Sequence, residues 1–86
     1  MVEVIRFTAS WCGPCRMYKP QFEKAQTEHS DVTFTTVDIE SDPDNMAGQF
    51  NVRNIPFTAF MKDGDLVKSQ TGVISSADIT KILQEL

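Results

Sequence analysis

From Val2 to Ile39 the chain reads strand, helix, strand, with almost nothing spare between the elements. Val2 to Thr8 is built from β-branched and aromatic residues with no Gly or Pro, and Val4, Ile5 and Phe7 make an apolar run broken by Arg6. Pro14 to about His29 sets Tyr18, Phe22, Ala25 and His29 at helical spacing. Pro20 lies inside that helix, removes a backbone donor and is expected to kink it. Val32 to Ile39 alternates as a second strand does. A unit of this length closes as a right-handed crossover between two parallel strands, which prunes the possible topologies sharply.

The rest of the chain extends that unit. Asp42-Pro43-Asp44 reads as a helix entry, with Asp42 as cap and Pro43 in the first turn, followed by a short apolar face of Met46, Ala47 and Phe50. Phe57–Met61 and Leu66–Thr71 are two further strands joined by Asp63-Gly64, a hairpin signal. Ser75 with Asp78 three residues on makes a capping-box-like start, and Ile79, Ile82, Leu83 and Leu86 follow as an amphipathic helix. The order β-α-β-α-β-β-α implies an α/β fold: one mixed four-stranded sheet with helices on both faces. With 86 residues and no linker or repeat, residues 1–86 are expected to form a single domain.

Charge and hydropathy remove several classes of function. A net charge of −4 with scattered basic residues argues against nucleic-acid binding. The cluster Asp38, Glu40, Asp42, Asp44 is read as a solvated strand end and helix start. No apolar stretch is long enough to span a membrane, and the first residues lack the pattern of a signal peptide, so the expectation is a cytoplasmic protein, working as a monomer away from membranes.

In a reducing compartment a close cysteine pair is catalytic, redox-sensing or metal-binding rather than a structural framework. Both cysteines lie in TASWCGPCRMYKP, Thr8 to Pro20. Cys12 falls at the expected start of the first helix, where unpaired N–H groups and the helix dipole favour a thiolate, the nucleophilic form. Cys15 sits one turn on, within disulfide reach, placed to resolve a mixed disulfide. Gly13 leaves room for a substrate backbone, and Pro14 at a first-turn position loses no hydrogen bond. A metal site needs about four ligands, and only His29 remains to supplement the two sulfurs. A purely structural disulfide would close too small a loop to constrain much. Dithiol–disulfide exchange is the preferred reading of the three.

With WCGPC at a strand–helix junction, the sequence resembles the thioredoxin family, and the likeness continues along essentially the whole chain. Arg16-Met17 and Pro20, VDIESDP (Val37–Pro43), FNVRNIPFTAFMKDGDLV (Phe50–Val67) and TGVISSADITKILQEL each resemble the family pattern in order. The resemblance implies a minimal thioredoxin-like fold, a cis peptide bond before Pro56, and a flat substrate-binding patch of Trp11, Gly13, Pro14, Ile55, Pro56, Gly72 and Val73 around the cysteines. It also implies a protein disulfide reductase, a thiol–disulfide oxidoreductase without bound cofactor or metal. Its redox-active disulfide would be re-reduced with electrons from NADPH through a flavin-dependent thioredoxin reductase, and its substrates would be disulfide-containing proteins. Met17 and Phe22 are read as core.

The departures are informative. The chain begins at the strand feeding the cysteines, without the extra strand and helix that usually precede it in this family. Six residues before Cys12, where the family usually has a buried Asp that moves the second cysteine's proton, stands Arg6, and the accompanying Lys is replaced by Thr36. Arg6 either favours thiolates as a nearby cation, a pKa-tuning role, or snorkels to a sheet edge with its charge solvated. Two rival readings of the whole chain are a glutaredoxin-like, glutathione-dependent thiol transferase and a thioredoxin-fold binding subunit with incidental redox activity.

Overall fold

A computed structural model describes all 86 residues. The elements are β1 (Val2–Thr8), α1 (Gly13–Glu28), β2 (Thr33–Asp38), α2 (Met46–Gln49), β3 (Phe57–Lys62), β4 (Asp65–Thr71) and α3 (Ser76–Glu85). They form one four-stranded sheet in the order β2-β1-β3-β4. β1 pairs parallel with β2 and antiparallel with β3, and β3 pairs antiparallel with β4. The mixed α/β sheet expected from the sequence is therefore present, with β1 enclosed by neighbours on both sides.

Strand alternation divides the core in two. Ile5 and Phe7 point to one face, where they pack with Val37, Phe57 and Ala59 and are covered by Met46, Ala47 and Phe50 from the α2 region. Val4 points to the other face and joins Tyr18, Phe22 and Ala25 of α1, Phe60, and Ile79 and Ile82 of α3. Burying each such large side chain contributes about 1.5–3 kcal/mol relative to exposure. Arg6 shares the α1 face with Val4. Across the sheet it stands in one row with Thr36 on β2 and Thr58 on β3, so a polar stripe crosses the floor beneath α1.

Local chemistry explains the element ends. Ser75 Oγ accepts the Asp78 amide at 3.0 Å and the Asp78 carboxylate accepts the Ser75 amide, a complete capping box. Asp63 and Gly64 both have positive φ (52° and 87°), as a tight hairpin turn requires. His29, just past α1, reaches α3 through Nε2 to Thr80 Oγ1 at 2.8 Å.

Three expectations need correction or refinement. The second helix starts at Met46, not beside Pro43, because Asn45 takes a left-handed conformation (φ 51°). Asp42 still caps it from a distance: its carboxylate accepts the Met46 and Ala47 amides, each at 2.9 Å. Met17 is 70% exposed and is not core, whereas Phe22 is. Arg6 is 7% exposed on an enclosed strand, so it does not reach a sheet edge. Pro20 lies inside α1, where the sequence placed it.

Candidate active site

β1 delivers the chain to the site and α1 receives it. After Thr8 the backbone turns, with the Cys12 amide donating to the Ala9 carbonyl at 3.2 Å. Cys12 is the N-cap of α1, in extended conformation, and its Sγ accepts the Cys15 amide at 3.2 Å. A sulfur that takes a backbone N–H at a helix N-terminus is in the position that most favours negative charge. Pro14 fits within the first turn, where its missing N–H leaves no bond unmade. Cys12 and Cys15 are joined as a disulfide with their Cα atoms 5.2 Å apart.

The two sulfurs face different surroundings. Cys12 Sγ lies 3.9 Å from the Ile55 carbonyl oxygen. The Ile55–Pro56 peptide bond is cis. The Pro56 carbonyl accepts the Gly72 amide at 2.8 Å, and Gly72 itself has φ 96°, a conformation that favours glycine. These contacts bring Ile55, Pro56 and Gly72 to Cys12. Trp11 (65% exposed) and Val73 (43% exposed) leave apolar surface beside them. A Cβ built on Gly13 would meet nothing within 4 Å, so the approach over Gly13 is open. Of the seven residues expected around the cysteines, Ile55, Pro56 and Gly72 are joined to Cys12 by these contacts, with the Pro56 side chain itself buried.

Cys15, in contrast, lines a cavity of about 320 Å³ with Arg6, Thr8, Ala9, Ser10, Arg16, Lys19 and Asp38. Arg6 donates from Nε and Nη2 to the single Thr36 hydroxyl, at 3.3 and 3.2 Å, and its guanidinium lies 5.1 Å from the centroid of the Phe22 ring. Desolvation lowers the Arg6 pKa, opposed by Glu23 and by Tyr18. Burial likewise raises the Tyr18 phenol, whose hydroxyl shares a 2.6 Å hydrogen bond with Thr58; that bond and Arg6 pull the other way. The usual buried carboxylate of the resembling family is absent from this row, and no protein carboxylate makes an ion pair with Arg6.

A clasp not foreseen from the sequence steadies the turn before Cys12. Glu40 Oε1 accepts both the Ser10 hydroxyl (2.8 Å) and the Ser10 amide (3.1 Å), which hold its carboxyl below the usual range. Arg16 Nη2 donates to the Ser10 carbonyl at 3.2 Å. The parallel register that aligns Thr8 with Asp38 was the available signal, since it carries Glu40 alongside Ser10. No group of three or more His, Cys, Asp and Glu side chains is gathered to hold a metal ion. No helix is long and apolar enough to cross a membrane.

The family model of thioredoxin matches residues 2–85. This chain belongs to the thioredoxin family. It is 37% identical to a thioredoxin of Chlamydia trachomatis over 82 residues, covering 95% of this chain and 79% of that protein. It is also 37% identical over 81 residues to the TPR repeat-containing thioredoxin TDX of Arabidopsis thaliana, of which it spans only 21%. A solved structure from work on the thiol resolving mechanism in yeast mitochondrial 1-Cys peroxiredoxin via glutathione/thioredoxin systems superposes with a TM-score of 0.88. It is 32% identical, covering 99% of this chain and 78% of that one. Thioredoxins are thiol–disulfide oxidoreductases, and this chain carries the bonded cysteine pair that dithiol–disulfide reduction requires.

Proposed function

We propose that residues 1–86 act as one domain that reduces protein disulfides, with Cys12 attacking and Cys15 resolving. The Cys12 thiolate attacks one sulfur of a substrate disulfide; that S–S bond breaks, and the departing thiolate takes a proton from solvent. The Cys15 thiolate then attacks the Cys12 sulfur of the mixed disulfide. The Cys12–Cys15 bond forms, the second substrate thiol leaves, and two electrons have passed to the substrate. The observation that carries this assignment is the asymmetry of the pair: Cys12 caps the helix beside Ile55 and Pro56, while Cys15 is turned to the cavity. An extended substrate segment would lie along the Pro56 backbone, against Trp11 and Val73, with Gly13 and Pro14 beneath and Gly72 closing the end. Cys15→Ser should leave substrates covalently held on Cys12, recovered by mass spectrometry as mixed disulfides; recovery from Cys12→Ser instead would reverse the roles.

Arg6 tunes the pair. A cation under Cys15 favours thiolates, so Arg6→Met should raise the thiol pKa values and lower the reduction potential. Titrating both thiols in the two proteins tests it, and unchanged values would discard the role. Re-reduction uses NADPH through a flavin-dependent thioredoxin reductase, with no cofactor bound to the chain itself. The protein works as a cytoplasmic monomer, away from membranes and nucleic acid. Supplying oxidised protein with reductase and NADPH, or with glutathione, separates this donor from the glutaredoxin-like alternative.

A further inference from the structure

Arg6 presents a problem in charge pairing. Its residue surface is 93% removed from solvent, since 7% remains exposed, and buried cations are ordinarily paired. Here both bonded nitrogens share one neutral acceptor, Thr36 Oγ1. A guanidinium carries five donor hydrogens, so most of its capacity is uncommitted. Nη1 has no protein partner, yet no buried side-chain nitrogen or oxygen lacks one. Nη1 is therefore open to solvent, and the solvent space Arg6 lines is the cavity behind Cys15.

The lining of that cavity is unlike the rest of the molecule. The chain has eight basic residues and a net charge of −4. Three of the eight, Arg6, Arg16 and Lys19, meet around this one space, against a single lining carboxylate, Asp38. Asp38 is also occupied, its Oδ1 accepting the Glu40 amide at 2.9 Å. Glu23, on α1, influences Arg6 without forming an ion pair. Among the lining side chains two positive charges are unmatched, and the nearest further carboxylates are Glu40, held by the lining Ser10, and Glu23, beyond ion-pair distance of Arg6. A planar guanidinium fork and two flexible cations suit an oxyanion carrying two charges.

We infer that this cavity is a binding site for a small dianionic oxyanion of the phosphate class, seated on Arg6 and gripped at the rim by Arg16 and Lys19. The inference is independent of which cysteine attacks. It has a consequence for the redox pair, because Cys15 is part of the wall. An anion there offsets the Arg6 charge and raises the Cys15 thiol pKa; reciprocally, a Cys15 thiolate weakens anion binding by the same factor.

The test uses the oxidised protein, in which neither cysteine titrates. Inorganic phosphate is titrated into ¹⁵N-labelled protein near pH 8, with chloride adjusted to hold ionic strength constant, and backbone amide shifts are followed. Saturable shifts should be confined to Thr8, Ala9, Ser10, Cys15, Arg16 and Lys19. Arg6→Met should weaken binding by about tenfold or more, the loss of one charge-assisted contact. Asp38→Asn should strengthen it, since the negative charge goes while an amide oxygen remains to accept from Glu40. Acetate, a monoanion, should bind more weakly than phosphate. Shifts that do not saturate, that match a chloride-only titration, or that persist unchanged in Arg6→Met overturn the site. If Arg6→Met loses its native spectrum, Lys19→Gln and Asp38→Asn must still move the affinity in opposite directions, and failure to do so overturns it equally.

Discussion

Cys12 and Cys15 are bonded to each other, yet the two sulfurs look onto different ground. On the Cys12 side the neighbours are backbone: the Ile55 carbonyl, the cis Ile55–Pro56 bond and Gly72, with Trp11 and Val73 exposed next to Cys12 and Gly72 in the chain. On the Cys15 side they are charged: Arg6 in the floor, Arg16 and Lys19 above, Asp38 at the strand end. The first surface is where the proposed function seats the substrate, and the second is where the charges gather. A three-residue spacing on a helix is enough to give one disulfide two environments, because one turn of α1 carries the chain from the groove to the cavity. Shape and electrostatics can then be altered separately, from opposite sides of the same bond.

The separation can be challenged most forcefully from beneath. Phe22 supports the Arg6 guanidinium and also fills the core between Tyr18 and Phe34. Phe22→Ala should cost about 3–5 kcal/mol in urea unfolding, and a loss under 1 kcal/mol would mean the cavity floor is far looser than its packing suggests. Next is the order of alkylation in the reduced protein. Iodoacetamide should modify Cys12 faster than Cys15 by on the order of 10- to 100-fold, since Cys12 takes the amide and borders the open groove; mass spectrometry showing Cys15 first would invert the comparison. A smaller effect is expected from Trp11→Ala, which should raise KM for a protein disulfide about tenfold. It should leave the alkylation order unchanged, and an altered thiol titration would show that the two sides are not separable.

The smallest effect belongs to the Glu40 clasp. Its pKa is lowered by the Ser10 hydroxyl and then by the Ser10 amide, so the bonds favour the ionised form. Their contribution is present above the ordinary glutamate range and lost as pH falls through the lowered value. The Ser10 amide resonance should titrate with a midpoint below that of an ordinary glutamate. Glu40→Gln should abolish that titration, and an ordinary midpoint would mean that the clasp is not formed in solution.

What could be read in advance followed from chemistry local to a few residues. Ser75 with Asp78, Asp63 with Gly64, and Cys12 ahead of Gly13-Pro14 each state their geometry within four positions, and each formed as expected. Asp42 was legible as a cap but not in its reach, because the left-handed turn at Asn45 delays the helix while the carboxylate spans the gap. Met17 was misplaced because hydrophobicity alone does not say which side of α1 meets the sheet. The burial of Arg6 was hidden for a related reason. It depends on β1 lying between β2 and β3 with α1 above, and nothing near Arg6 in the chain announces that. The cavity and the Ser10–Glu40 contact join residues thirty positions apart and emerge only from the parallel register.

The hydrogen bond from the Cys15 amide to Cys12 Sγ gives one atom two duties. The sulfur that exchanges electrons is also the end-stop of the longest helix in the molecule. Inactivating the protein and loosening α1 are therefore entangled in any substitution that leaves nothing to accept that amide. Alanine at position 12 would remove both the reactive group and the cap, at about 0.5–2 kcal/mol for the cap alone. Serine keeps an acceptor in the same place. It is the replacement that silences the chemistry while leaving the helix start intact, and comparing the two separates what the sulfur does for structure from what it does for electrons.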